Sequence, residues 1–204
     1  MSERNNIFFW LGGVLTESLH EITMQVLSSE LDAKINFQTR LNLQALCEHL
    51  SLGWINESDF CSRVVESVAL DVPIDKFETR LKKSFSVRIQ VLDVIESLPD
   101  SYQMWLISDI PQEWYQSLED RFNLRTFFPE DRLIFTDSAH AQRLDPDIFY
   151  YVTWVANRPI DTCVIVDGLS SRAVHAVRHG LSSTIFVDTR RLIRDFTLRG
   201  MLPK

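Results

Sequence analysis

The sequence predicts an α/β protein, a doubly wound parallel sheet of Rossmann-like type with an inserted helical region after its first strand. Three observations lead there. Short apolar runs recur at Ile7-Phe8-Phe9-Trp10-Leu11, Trp105-Leu106-Ile107 and Cys163-Val164-Ile165-Val166, and strands buried on both faces belong to parallel sheets. After residue 88 such runs alternate with stretches of helical spacing, the pattern of right-handed βαβ crossovers. Between the first and second runs lies a long stretch with helical spacing and no convincing strand.

The apolar run 7–15, broken by the paired glycines Gly12 and Gly13, reads as the central strand. Helical spacing follows in Leu19, Ile22, Val26 and Leu27, then in Leu43, Leu46, Cys47 and Leu50. Gly53-Trp54-Ile55 breaks the pattern, and Asn56 or Ser58 can cap a helix carrying Phe60, Val64 and Val68. Pro73 introduces a further short helix with Phe77, Leu81 and Phe85. The organisation expected is therefore a core of 1–15 and 88–204 with a helical cap at 16–87.

In the core, helices are expected at 88–98, 111–122, 146–156 and 172–179, the last ended by Gly180. Strands are expected at 102–108, 133–136, 163–167 and 184–187. Ligands of such sheets bind at the carboxyl ends of the strands. This singles out Trp10 to Gly13, Ser108-Asp109, the segment after Thr136, and Asp167-Gly168.

Composition narrows the function classes. A chain of 204 residues has room for one α/β domain and a sizeable insertion. Its net charge of -7 argues against nonspecific nucleic-acid or anionic-membrane binding, and Arg190, Arg191 and Arg194 read as a solvated helix face. Cys47, Cys61 and Cys163 are too few and scattered for a disulfide framework or a zinc site. A reducing, cytoplasmic setting is expected, since Met1-Ser2-Glu3-Arg4 has no signal pattern and no apolar run is long enough to span a membrane. His175 and His179 have a spacing that can bind zinc, but without a third ligand nearby they read as a surface helix face.

Four segments in order resemble the haloacid dehalogenase-like (HAD) hydrolases with a helical cap. The closest likeness is to the branch holding sugar-phosphate phosphatases and the N-terminal domain of soluble epoxide hydrolase. Phe9-Trp10-Leu11-Gly12-Gly13-Val14-Leu15 resembles the first motif, F-D-L-G/D-G/N-V-L, and Ile107-Ser108-Asp109 the second. Arg143-Leu144-Asp145-Pro146-Asp147-Ile148-Phe149 is similar to the third, K-P-D-P-x-I-F, and Val164-Ile165-Val166-Asp167-Gly168 to the fourth, a V-D-D strand. The resemblance implies an aspartate nucleophile that also binds magnesium. Trp10 stands at that position, and indole offers neither a nucleophilic oxygen nor a lone pair for a hard cation. Gly12 replaces the usual acid/base, Arg143 the lysine, Gly168 the second acid of the fourth motif, and Arg172 a later asparagine. Ser108 and Asp167 are retained.

The resulting expectation is a catalytically inactive member that binds or regulates, with no cofactor beyond weak magnesium at Asp167. Its ligand would be a phosphorylated or other anionic small molecule held by Ser108, Asp109, Arg143, Asp167 and Arg172, with the Gly12-Gly13 amides as donors. Asp167 has plainer readings, as a cap of the next helix or as a partner of Arg143 or Arg172. Trp10 reads as core, its ring filling the space a substrate phosphate would need. One alternative is an active hydrolase using Asp109 or Asp167 instead. Another is a homo-oligomer joined through cap residues such as Trp54, Phe60 and Phe77.

Overall fold

The computed structural model describes residues 5–30, 35–137 and 148–203. Five parallel strands form one sheet among them, in the order β3-β2-β1-β4-β5. They are β1 (Asn6–Trp10), β2 (Gln103–Ser108), β3 (Leu133–Phe135), β4 (Cys163–Asp167) and β5 (Ser182–Ile185). The strand β1 is central, paired with β2 from Asn6↔Gln103 and with β4 from Asn6↔Cys163. Because chain order runs outward from β1 on one side and then restarts at β4 on the other, the topological switch lies between β1 and β4.

All five β1 residues are buried. Phe8 stacks on its register partner Trp105 with ring centroids 5.6 Å apart. Phe9 points to the opposite face and meets Phe128 and Phe196 edge-on.

The first strand ends at Trp10 rather than continuing to residue 15. Gly13 has φ +85°, and its N–H donates to the Thr16 carbonyl at 3.0 Å while the Thr16 N–H donates to the Leu11 carbonyl at 2.9 Å. A tight turn thus replaces ladder pairing as soon as the glycines are reached. The last strand lies two residues earlier than its apolar letters imply, because its backbone pairing with β4 begins at Ser182, whose hydroxyl accepts from Arg199.

The helices are α1 (Leu19–Glu30), α2 (Phe37–Ser51), α3 (Glu57–Ser67), α4 (Ile74–Ser84), α5 (Ile89–Glu96), α6 (Gln112–Phe122), α7 (Ile148–Val155), α8 (Ser170–Arg178) and α9 (Thr189–Leu198). Between β1 and β2, α1 to α4 pack on one another, whereas α5 packs on α9 beside the sheet. Side-chain oxygens of Asn36, Asn56 and Asp188 accept from the N–H groups of Thr39, Asp59 and Arg191, capping α2, α3 and α9. Among the described residues no helix is long and apolar enough to cross a membrane.

The insertion is anchored to the sheet through α6. Trp114 packs edge-on against Phe60 and lies beside Phe85, and its indole N–H donates to Glu78 at 3.2 Å. Arg121 donates to the carbonyls of Lys82, Lys83 and Phe85, capping the C-terminal end of α4 from another element. A second anchor runs from the Thr136 hydroxyl to the Ser51 carbonyl at 2.6 Å.

Candidate functional site

A cleft of about 630 Å³ opens where α1 and α2 face the carboxyl ends of β1, β2 and β4. Gly12, Gly13, Asp109, Gly168 and Arg172 line the sheet side, and His20, Gln44, Cys47 and Glu48 the insertion side. A larger depression of about 1030 Å³ beside α7 is walled by Tyr150, Tyr151, Trp154 and Arg158. Among the described residues that surface is lined by no carboxylate, imidazole or thiol, so the strand-end cleft is the candidate site.

Trp10 ends β1 and is only 3% exposed. The Arg172 guanidinium lies over its ring, 3.9 Å from the centroid, a cation–π contact at close range. The indole N–H of Trp10 is buried without a hydrogen-bond partner among the described residues. The ring therefore lies beneath Arg172 and leaves the cleft above it open.

Arg172, in the first turn of α8, is fixed from its other side by Asp167. Its Nε donates to Oδ2 at 2.7 Å and its Nη2 to Oδ1 at 2.9 Å, a bidentate pair. Asp167 is fully buried, and its Oδ1 also accepts from the Leu169 N–H at 2.8 Å. Partial burial opposes the Arg172 charge, but the Asp167 hydrogen bonds and the negative charges of Asp167 and Asp109 raise its pKa.

Asp109 follows β2, and its Oδ1 accepts from the Gly12 N–H at 3.0 Å. Burial pushes its carboxyl pKa up, against the opposing pull of Arg172 and the Gly12 amide. The absence of a side chain at position 12 is what admits this carboxylate, since a Cβ there would stand 2.6 Å from Oδ2. Gly168 is tighter still, with a Cβ falling 2.5 Å from the Gly13 carbonyl oxygen.

Several sequence-derived assignments change. Ser108 is buried and donates to the Ile110 carbonyl at 3.0 Å, so it is not on the cleft wall. Donors expected for an anion are already engaged: the Gly12 amide with Asp109, the Gly13 amide with Thr16, and two Arg172 N–H groups with Asp167. Arg143 and the rest of its motif up to Asp147 lie outside the described residues. Phe60 and Phe77 are fully buried and cannot form an interface, leaving Trp54, half exposed beside His49. His179 packs against the rings of Phe149 and Tyr150.

Two cleft residues escaped sequence reasoning. Arg88 donates from Nη1 to the carbonyls of Val14 and Thr16, fixing the turn that follows β1. His20 lines the cleft with Nε2 buried and unpartnered among the described residues. Neither carries a motif; a lone basic residue near a helix start gives no signal of contacts 72 or 74 positions away.

No protein-family model matches the sequence, and no curated protein does. Solved structures match in fold. One is a HAD family enzyme from Bacteroides thetaiotaomicron, in a mutant form complexed with magnesium and inorganic phosphate. It has 19% identity and a TM-score of 0.68, over 91% of this chain and 94% of that one. The chain has a HAD-like fold. A predicted HAD-like family hydrolase from Porphyromonas gingivalis has 18% identity and a TM-score of 0.68, over 97% of this chain and 99% of that one. A dehalogenase has 14% identity and a TM-score of 0.65, over 91% and 85% of the two chains.

A magnesium ion like that bound to the Bacteroides enzyme does not fit the residues of this site. The tip of β1 supplies indole where a hard cation needs oxygen. Both oxygens of Asp167 are taken by a guanidinium. No group of three or more His, Cys, Asp or Glu among the described residues could hold a metal ion.

Proposed function

We propose that this protein uses a HAD-like fold for binding rather than hydrolysis, its cleft holding a small anionic ligand of the phosphorylated-metabolite class in a regulatory role. One observation carries the reading: where a nucleophilic carboxylate would have to stand, Trp10 is buried under the Arg172–Asp167 pair. Nothing at the tip of β1 can attack a phosphorus or carbon centre. Arg172 has five N–H donors and places two on Asp167, and its side chain is 30% exposed toward the cleft. The remaining donors are suited to a phosphate or carboxylate. The phosphate bound to the Bacteroides enzyme is a precedent for that ligand class.

The test has two arms. A screen of phosphate esters with magnesium is expected to give no turnover above background. Isothermal titration with sugar phosphates, nucleotides and inorganic phosphate is expected to find a binder whose affinity falls at least tenfold in Arg172→Ala. Turnover by the purified chain, or binding indifferent to Arg172, defeats the proposal.

Asp109 supports a second reading. A half-buried carboxyl with a raised pKa at a cleft is the usual setting of a general acid or base. Under that reading the phosphate-ester screen gives turnover, and Asp109→Asn abolishes it.

A further inference from the structure

We infer that Arg172 is a built-in cation, its guanidinium neutralising the carboxylate of Asp167 beside Asp109 in the place a divalent ion would otherwise take, so that this cleft binds its ligand without a metal. The inference rests on the cleft being a ligand site, and it specifies what charge meets the ligand there.

Three adjacent strands bring the groups together. Trp10 ends β1, Asp109 follows β2 on one side, and Asp167 ends β4 on the other. Two carboxylates therefore flank the tip of the central strand. Arg172 pairs with Asp167 through two N–H donors and also attracts the charge of Asp109. Its fork occupies both oxygens of Asp167, and the Leu169 amide takes a second position on Oδ1.

The floor of the site favours a guanidinium over a metal ion. A planar, weakly hydrated cation can lie flat on an indole face at 3.9 Å. Magnesium keeps its water and demands oxygen ligands, which Trp10 cannot give. An entering dication would have to displace the guanidinium from Asp167 or sit beside a like charge. Arg172 is also tethered in the first turn of α8, so its occupancy does not depend on ion concentration.

Removing this side chain should uncover what it holds. The full-length chain, freed of metal with a chelator, is titrated with Mn²⁺ and followed by water-proton relaxation, alongside inorganic phosphate titrations with and without EDTA. Wild type is expected to show no saturable Mn²⁺ site and the same phosphate affinity in both buffers. Arg172→Ala is expected to bind Mn²⁺ at least tenfold more tightly than wild type, and to lose that gain when Asp167→Asn is added. Should circular dichroism show that Arg172→Ala has lost its fold, Arg172→Gln replaces it under the same criteria, keeping most of the side-chain reach without the charge. A wild-type Mn²⁺ site abolished by Asp167→Asn overturns the inference, as does a folded Arg172 variant that gains no metal. Metal binding by wild type without ester hydrolysis sinks this inference alone, whereas metal-free hydrolysis sinks the binding role and supports it.

Discussion

Where α4 meets α6 the insertion and the sheet are pressed together by aromatic rings, but where α1 and α2 face the tips of β1 and β4 a cleft of about 630 Å³ stays open. Both are boundaries between the same two layers. At the closed seam, Trp114 fills the gap between Phe60 and Phe85, and Arg121 satisfies carbonyls at the end of α4. At the open one the wall mixes apolar residues such as Leu19, Phe186 and Val187 with polar groups that bond within the sheet layer, Asp109 to the Gly12 amide and Asp167 to Arg172. The difference shows that the insertion is held at the aromatic seam, while at the cleft the strongest bonds run within one layer instead of across the gap.

The strongest challenge to this contrast is Trp114→Ala, which removes the ring and the bond to Glu78. It should cost about 3–5 kcal/mol in urea unfolding, and a loss below about 1 kcal/mol would mean the closed seam does not anchor the insertion. Gly168→Ala attacks the open side, because its Cβ would press on the Gly13 carbonyl. A loss of about 1–3 kcal/mol is expected, and a neutral result would show that the two turns can part easily. Arg121→Ala should cost about 1–2 kcal/mol, with faster amide exchange at the end of α4 as its local signature.

Asp109→Asn is read by direction alone. The folded-state pKa of Asp109 is raised, so its contribution to stability is fully present below its ordinary pKa of 3.8 and is lost as pH rises through the folded value. Asparagine keeps an acceptor for the Gly12 amide and does not titrate. The variant should therefore match wild type in the acid and gain on it as pH rises. A wild type that gains stability over the Asp109→Asn variant as pH rises above 3.8 would reverse the assigned direction. Thermal unfolding of both proteins across that range decides it.

The sheet was legible because a strand buried on both faces leaves a bare apolar run, as Ile7-Phe8-Phe9 and Val164-Ile165-Val166 do. Strand ends were less legible: Leu11 to Leu15 looks as apolar as β1 but turns away at Gly13, and Ser182-Ser183 joins the sheet through backbone pairing with Val164-Ile165, which leaves no mark in the side chains. Trp10, Asp109, Asp167 and Arg172 could be placed near one another, because motif order and strand ends are sequence properties. Their chemistry could not be read so directly. Ser108 is spent on Ile110, and the stack of Arg172 on Trp10 joins residues 162 positions apart through the packing of α8 against the sheet. Long-range contacts of that kind leave no periodicity to detect.

The close approach of Gly168 to Gly13 also limits what can be installed at this corner of the cleft. An aspartate placed at 168 would meet the Gly13 carbonyl at its first side-chain carbon, before its carboxylate reached anything useful. The backbone would have to move before an acid there could act, so the contact works as a latch against adding one.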